Sequence, residues 1–179
     1  MSRLILFPKD PLLQLPLEPL LELLLQQQVV ESLLDGHYGE RSYLLGERFF
    51  DAFLFLGCSP SIELAPTAAD TPFCYLELES EVQCRLISGS NLKAACKGCK
   101  QRYGELPQLE AQQPPDVSCC HCGAVYSAEQ IAWRKTAALA KTRFSLWNIF
   151  EGEAVPSDQL LGMLQKQSGV EWSYAYINS

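Results

Sequence analysis

Two pairs of cysteines with matched spacing constrain the fold of this chain more than any other feature. The pairs occupy residues 96–99 and 119–122, and residues 100–118 separate them, a spacing within the range of four-cysteine zinc sites. Zn²⁺ takes four thiolates at the corners of a tetrahedron, about 2.3 Å from each sulfur. Two intervening residues allow one tight turn to present two sulfurs, and we expect Gly98 and Gly123 to supply its backbone freedom.

The pattern predicts one Zn²⁺ per chain, with iron the less favoured metal. The expected ligands are Cys96, Cys99, Cys119 and Cys122. An alternative set uses Cys120 or His121 as the fourth ligand, in poorer geometry. Two further interpretations are a redox dithiol and two unrelated thiol pairs. A thioredoxin-like site presents a single C-x-x-C at a helix start, so two pairs in glycine-containing turns favour a closed metal site.

Residues 93–127 resemble a zinc ribbon or rubredoxin-like module. The resemblance is carried by Cys96-x-x-Cys99-Lys100 and Cys119-x-x-Cys122-Gly123, each followed by an aromatic residue, Tyr103 or Tyr126. It implies a metal and a local hairpin fold, and it implies no particular activity. With four protein ligands, zinc would be structural, while iron would make an electron carrier. The polar link from Glu105 to Val117 departs from the module's pattern, and we expect it to form a loop.

Composition places the chain among folded proteins of one domain, or one domain with an appendage. It has 179 residues, 47% of them hydrophobic and 20% charged, with a formal net charge of -7 that argues against a nucleic-acid coat protein. We find no secretory leader and no uncharged run near the roughly 20 residues that span a bilayer. We therefore expect a cytoplasmic protein without membrane contact. Its thiols would stay reduced there, which favours metal ligation over disulfides.

The hydrophobic pattern predicts an α+β fold, with a small antiparallel sheet, flanking helices and an inserted zinc ribbon. Residues 1–92 would form a helix and the antiparallel strands of the main body, and residues 93–127 the ribbon. Residues 128–179 would add helices and a closing strand, packed on the main body as one domain. Within the first part, residues 1–16 read as an extended lead-in, and a helix runs from Pro19 through Leu34 to Gly36.

Alternation predicts strands over residues 61–64, 74–79 and 82–86, with a tight hairpin at Ser80-Glu81. The apolar run at 53–56 fits a buried strand or a helix end. Capping-box spacing of Ser127 and Gln130 predicts a helix continuing to residue 140. Ser157 is expected to cap a helix that ends at Gly169, and residues 172–176 read as a strand returning to the main sheet.

Basic residues concentrate around the cysteine pairs. Residues 85–143 hold nine Lys or Arg and four acids, a formal 9 − 4 = +5, while the rest holds five against seventeen, 5 − 17 = −12. The candidate contact residues in this region are Lys97, Lys100, Arg102, Arg134, Lys135, Lys141 and Arg143, accompanied by the aromatics Tyr103, Trp133, Phe144 and Trp147. Such a surface can dock on another protein, which we favour, or hold nucleic acid by charge and stacking.

Catalytic signatures are weak in this sequence. It has no glycine-rich phosphate loop and no nucleophile elbow. Cys58 sits in a Gly-Cys-Ser-Pro turn, but neither histidine lies at a spacing that would link it to this thiol as a catalytic base. We expect Cys74 and Cys84 to be small core residues and His37 to be an exposed loop residue. We therefore predict no enzyme but a zinc-binding protein whose four-cysteine ribbon braces a protein-interaction surface. The alternatives are a nucleic-acid-binding protein and a thiol redox or rubredoxin-like electron-transfer protein.

Overall fold

One antiparallel sheet of seven strands organises the part of the chain that the structure describes. The structure is a computed structural model, and it describes residues 2–35, 38–56, 62–66 and 72–178. The seven strands are β1 (Ser2–Pro8), β2 (Val30–Leu33), β3 (Ser42–Leu45), β5 (Tyr75–Ser88), β6 (Leu109–Ala111), β9 (Ala137–Trp147) and β11 (Trp172–Asn178). The smaller elements are α1 (Leu17–Gln26), α2 (Phe49–Ala52), β4 (Phe53–Phe55), β7 (Asp116–Ser118), β8 (Val125–Ser127), β10 (Ala154–Pro156) and α3 (Asp158–Ser168). The broad α+β prediction therefore holds, with most of the core contributed by the sheet.

The long strands β5 and β9 form the centre of the sheet. The strand order is β11-β1-β9-β5-β3-β2, and β6 pairs with β5 beyond the end of β3. The N-terminal segment, expected as an extended lead-in, is the inner strand β1 between β11 and β9. Its residues Leu4, Ile5 and Leu6 are all buried, because both faces of this strand are covered. The predicted closing strand is β11, which pairs with β1 along its whole length.

The helices α1 and α3 pack over one face of the sheet. Leu20 and Leu24 of α1 and Leu160 and Leu164 of α3 share one buried core with sheet residues such as Leu146. The α3 boundaries agree with the sequence prediction. The Ser157 side chain accepts a hydrogen bond from the Leu160 N–H at 3.2 Å, and Gly169 ends the helix with a left-handed φ of 77°. No helix in the described ranges combines the length and apolar character needed to cross a bilayer.

The helix predicted from Pro19 to Leu34 is wrong beyond Gln26. The chain turns at Gln28, whose φ is 54°, and then enters β2. Val29 and Val30 are both buried, which also fits the apolar stripe of a helix, so their hydrophobicity did not reveal the end of α1. Their β-branched side chains, however, favour the extended backbone that the chain adopts in β2. The predicted stop at Gly36 lies outside the described residues.

The hairpin predicted at Ser80-Glu81 is also wrong, because β5 is one continuous strand. Its pairing with β9 shifts register between Ser80 and Arg85, which makes an irregular bulge where a turn was expected. Leu76 and Leu78 before the bulge and Cys84 and Leu86 after it are buried, and Ile87 near the end of the strand is buried as well. Ser80-Glu81 also lacks the Asn or Gly that a two-residue hairpin turn prefers. In the predicted strand at 61–64, residue 61 is not described, and residues 62–64 are half-buried or exposed without strand pairing.

The helix predicted from Ser127 to residue 140 is replaced by a short turn and a strand. Only residues Ala128–Gln130 form a 3₁₀ turn, and the Ser127 side chain makes no capping bond. Strand β9 is buried on both faces, so it shows no alternation to distinguish it from a buried helix, and its alanines favour helix on propensity alone. The apolar run at 53–56 contributes β4, which follows the single helical turn α2 and pairs with β10.

Candidate metal centre

The first cysteine pair lies in a turn closed by backbone hydrogen bonds. Ala95 and Arg102 form an isolated antiparallel bridge below the turn. The Cys96 N–H donates to the Gln101 carbonyl at 2.8 Å, and the Lys100 N–H donates back to the Cys96 carbonyl at 2.9 Å. Lys100 takes a left-handed φ of 64° to complete the turn. Cys96 and Cys99 are thereby fixed on one side of a tight loop.

The second cysteine pair repeats this geometry at the end of the β7–β8 hairpin. The Cys119 N–H donates to the Ala124 carbonyl at 2.8 Å, and the Gly123 N–H donates to the Cys119 carbonyl at 2.9 Å. Gly123 has a φ of 72°, so it corresponds to Lys100 of the first turn. The two turns are therefore two copies of one knuckle.

The role expected of Gly98 needs correction. Positive φ in the first knuckle falls on Lys100, and Gly98 does not share it. A Cβ at Gly98 would lie 3.2 Å from the Tyr126 hydroxyl and 3.7 Å from the Cys96 sulfur. A side chain at Gly98 would crowd the Tyr126 hydroxyl of the second knuckle, while Gly123 supplies the conformational freedom as predicted.

The two knuckles bring four sulfurs into one cluster. The Sγ atoms of the predicted ligands all lie within 4.8 Å of one another. Those of Cys96 and Cys122 are 3.8 Å apart, and those of Cys99 and Cys119 are 3.7 Å apart. A tetrahedron with metal–sulfur distances of about 2.3 Å has edges of about 3.8 Å. The spacing suits a tetrahedral metal ion and is far longer than the roughly 2.05 Å of a disulfide.

The two alternative ligands fall outside this cluster. Cys120 and His121 are both exposed and are not part of the group of sulfurs that could hold a metal. Cys122 is itself exposed, whereas Cys96 and Cys119 are buried and Cys99 is half-buried. Of the four sulfur-bearing residues, solvent therefore reaches Cys122 of the second knuckle most easily.

Electrostatics within the cluster favours a bound cation. The backbone N–H of Cys99 is the largest influence on Cys96, and it lowers the pKa of that thiol to about 6 against the effect of desolvation. The backbone N–H of Gln101 also acts to lower the pKa of Cys99, but desolvation and the neighbouring sulfurs outweigh it and raise that pKa to about 12. The sulfurs crowd one another too closely to be thiolates together without a positive charge among them.

Tyr103 lies behind the first knuckle and faces its sulfur. Its hydroxyl is buried with no nitrogen or oxygen partner among the described residues, and burial, followed by the influence of Cys96, raises its pKa to about 12. An O–H beside a metal-bound thiolate is a typical outer-shell donor, because thiolate sulfur accepts hydrogen bonds. The aromatic positions noted in the sequence thus surround the sulfurs, with Tyr103 beside Cys96 and Tyr126 over Gly98.

A separate hydrophobic cluster attaches the knuckles to the sheet. Val117 and Tyr103 pack with Leu86 of β5 and with Leu139 of β9. The link expected to be a loop between Glu105 and Val117 contains β6, which pairs with residues 84–86 of β5, and the start of β7. This pairing could not be read from the proline-rich link, because three residues are too few to show an alternation.

The predicted contact residues separate into exposed and buried groups. Lys97, Lys100, Arg102, Arg134 and Lys135 are exposed, and Lys141 is half-buried. The prediction that Arg143 is a surface contact residue is wrong, because only 2% of its surface is exposed. Its guanidinium donates to both carboxylate oxygens of Glu79, including a 2.8 Å bond from Nε, and to those of Glu81 at 3.2 and 3.3 Å. Arg143 is therefore part of an internal ion-pair network.

The aromatic side chains expected to accompany the basic residues are mostly engaged within the protein. Tyr103 and Phe144 are buried. Trp147 stacks on Tyr75 with ring centroids 6.1 Å apart. It also makes a cation–π contact with Arg3, whose guanidinium lies 4.3 Å from the centroid of the Trp147 ring. Trp133 and Trp147 are both half-buried, and of the four only Trp133 is flanked by exposed basic residues, Arg134 and Lys135, so the surface offers little for successive base stacking.

The remaining thiols and histidines do not form a catalytic group within the described residues. Cys74 and Cys84 are buried, and desolvation raises their pKa to about 12 and about 11 respectively, which makes them poor nucleophiles. The candidates Cys58 and His37 lie outside the described residues. Comparison with known proteins adds no further assignment, since the chain matches no family model, no curated protein and no solved structure at a significant level.

Proposed function

We propose that this chain is a zinc-binding protein in which one Zn²⁺, held by Cys96, Cys99, Cys119 and Cys122, is structural and braces a surface that binds another protein. The observation that carries the proposal is the sulfur spacing, with four Sγ atoms within 4.8 Å and two measured edges of 3.7 and 3.8 Å. Two copies of one hydrogen-bonded knuckle support it independently. Zinc is favoured over iron because four-cysteine zinc sites are the commoner structural use of this geometry.

A structural role follows from the coordination number. Four protein sulfurs complete a tetrahedral shell, so water and substrate have no open position on the metal. The segment that carries the knuckles is attached to the sheet by the three residues of β6 and by the hydrophobic cluster around Val117 and Tyr103, and metal binding would add to its local folding free energy. We therefore assign residues 93–127 as a metal-stabilised insertion between residues 1–92 and 128–179. Its attachment between β5 and β9, which are adjacent in the sheet, supports this assignment.

The surface around the knuckles fits a protein partner better than a nucleic acid. Lys97 and Lys100 of the first knuckle are exposed cations. Val125 of β8, beside the second knuckle, exposes 55% of its surface. A mixed apolar and basic patch suits an acidic protein surface. Nucleic-acid binding needs several free cations with stacking platforms. Two of the four aromatics are buried here, and Arg143 is neutralised internally.

The ligand assignment is tested by a pair of cysteine variants. Cys99→Ser is expected to lose the metal and to open the link at residues 100–118 to protease, because three thiolates hold zinc much less tightly. Cys120→Ser is the matched control, since its sulfur lies outside the cluster, and it should retain one equivalent. Metal retained by Cys99→Ser, or lost by Cys120→Ser, would contradict the assigned ligand set.

The preference for a protein partner is tested against the nucleic-acid alternative with a single-stranded oligonucleotide. Binding is measured by fluorescence anisotropy at low and at moderate salt. We expect no micromolar binding. Micromolar affinity that falls steeply with salt, and that Arg134→Glu weakens, would replace the protein-binding proposal by a nucleic-acid one.

A further inference from the structure

A pocket of about 230 Å³ lies where the main sheet meets the turn that leads from the knuckle segment into β9. Its sheet walls come from three strands: Phe7 of β1, Leu139 of β9 and Tyr174 of β11. Trp133 and Lys135 of the preceding turn close another side. Apolar and aromatic walls with a few polar groups are the usual composition of a small-molecule site.

The turn that closes the pocket has an unusual backbone. The Thr136 N–H donates to the Trp133 carbonyl at 3.1 Å, and the two central residues, Arg134 and Lys135, have φ values of 53° and 60°. Two successive positive φ values define a type I′ turn, where Asn and Gly are the preferred residues. Long side chains at both positions are strained. Retained strain of this kind is common where the side chains have a binding role.

The strained turn is fixed in place by the sheet edge. The Lys135 carbonyl accepts a hydrogen bond from the Tyr176 N–H of β11 at 2.9 Å. The Thr136 hydroxyl donates to the Trp133 carbonyl at 2.6 Å and accepts from the Lys93 N–H at 3.0 Å. These bonds hold Trp133 and Lys135 against the strands, so the pocket is formed before any ligand arrives.

Lys135 places a free positive charge at this pocket. Its ammonium lies 3.8 Å from the centroid of the Tyr174 ring and 2.5 Å from the Tyr174 hydroxyl. Within the described ranges, no carboxylate lies at ion-pair distance from it. Lys9 also lines the pocket but pairs with Glu171 in solvent, and Glu129 contributes one negative charge to the lining. The lining thus has two cations against one anion, with Lys135 the cation that no carboxylate compensates.

We propose that this pocket binds a small anion carrying a planar aromatic ring. The ring would pack among the side chains of Trp133, Phe7 and Leu139, and the carboxylate or phosphate would meet the Lys135 ammonium. A volume of 230 Å³ is below the range of about 300–1,000 Å³ for drug-sized sites, which limits the ligand to one compact ring system. The proposal goes beyond the metal centre and does not depend on which metal is bound.

The pocket nevertheless has a physical connection to the cysteine cluster. The Trp133 indole N–H donates to the Ala128 carbonyl at 2.8 Å, and its ring lies 6.2 Å from that of Tyr103, centroid to centroid. Tyr103 in turn faces Cys96. Trp133, which forms one wall of the pocket, therefore contacts a residue beside the metal centre. Metal content is measured in every binding sample, so that loss of the metal is distinguished from loss of the pocket.

The test uses matched aromatic probes on the ¹⁵N-labelled full chain. Benzoate and benzamidine share a ring and differ in the sign of charge, and phenyl phosphate and phenol form a second pair of one-ring probes. The Trp133 indole N–H signal, assigned with Trp133→Phe, reports occupancy. We expect saturable shifts with at least one of the two anions, benzoate and phenyl phosphate, and none with benzamidine or phenol. Equal shifts from both members of each pair, or no shift from either anion, would overturn the proposal.

A turn variant separates binding from folding. Replacing Arg134 by Asn and Lys135 by Gly gives the sequence that a type I′ turn prefers, so the melting temperature should rise. Affinity for the anion should fall by about tenfold or more, since a charge-assisted contact is removed. Gln28→Gly is the matched control, because it relieves a left-handed residue that does not line this pocket, and it should leave affinity unchanged. Undiminished affinity in the turn variant would refute the role of Lys135.

Discussion

Arg143 gives the sharpest test of how the sheet is stabilised, because the sequence suggests a surface contact and the structure shows an internal one. Replacing it by Met keeps the length and apolar stem of the side chain but removes the charge. Glu79 then loses its ion-pair partner, while Glu81 keeps only its pair with Arg85 at 2.8 Å; the two carboxylates have 24% and 29% of their side chains exposed. The folded state loses four hydrogen bonds and acquires a like-charge repulsion.

The size of the effect follows from the burial of the three groups. Breaking a fully buried pair costs about 3–5 kcal/mol. The partial exposure of both carboxylates places Arg143→Met near the lower end, at about 3 kcal/mol. For a chain of this length, 1 kcal/mol corresponds to about 2–4 °C in melting temperature, so we expect a decrease of about 6–12 °C.

The assay is urea unfolding followed by tryptophan fluorescence, with Lys141→Met as the matched control. Lys141 lies on the same strand, is half-buried, and has no carboxylate at ion-pair distance among the described residues. Its replacement should change stability by no more than about 0.5 kcal/mol. Adding Glu79→Gln to Arg143→Met should recover much of the loss, because the carboxylate that has lost its ion-pair partner is then neutral, while Glu81 keeps its pair with Arg85. Equal stabilities for Arg143→Met and Lys141→Met would refute the network.

Three other predictions concern single groups. Desolvation, followed by the charge of Glu79, raises the pKa of Glu77. A raised folded-state pKa stabilises the protein below the unfolded pKa of about 4.3, and this stabilisation is lost as pH rises through the folded value. Glu77→Gln should therefore be more stable than the parent at pH 7 in urea melts, with the difference vanishing near pH 4; a constant difference would contradict this. At the equivalent knuckle positions, Gly123→Ala should destabilise by about 1 kcal/mol while Lys100→Gly stabilises by about 0.5 kcal/mol, and changes of the same sign in calorimetry would disprove the equivalence. Ser157→Ala should cost about 1 kcal/mol by loss of the α3 cap, and an unchanged melting temperature would argue against that cap.

Local signals predicted those elements whose ends are determined within a few residues. Ser157 and Gly169 bound α3 because the cap and the left-handed stop act over one turn of helix. The four cysteines come together as the spacing suggests, because each knuckle is closed by hydrogen bonds within itself. Alternation likewise identified β11 and the two halves of β5.

The wrong predictions concern residues whose burial and partners depend on parts of the chain that are distant in sequence. Strand β9 is covered on both faces, so its apolar run resembles a helix. Arg143 looks like other basic residues near the knuckles, and its partners Glu79 and Glu81 lie more than sixty positions away on β5. Ser80-Glu81 was predicted to be a hairpin turn because a bulge also interrupts alternation. The left-handed Lys100 was detectable, since superposing the two C-x-x-C segments places it on Gly123.

The most direct test of the central claim is the metal content of the unmodified chain, purified without added metal, by elemental analysis together with a visible absorption spectrum. We expect one zinc per chain and a colourless protein, because four sulfurs with edges of 3.7 and 3.8 Å hold one tetrahedral ion. A stoichiometric red iron centre would replace the structural role with electron transfer. Protein without metal and with four reactive thiols in the two pairs would contradict the metal centre itself.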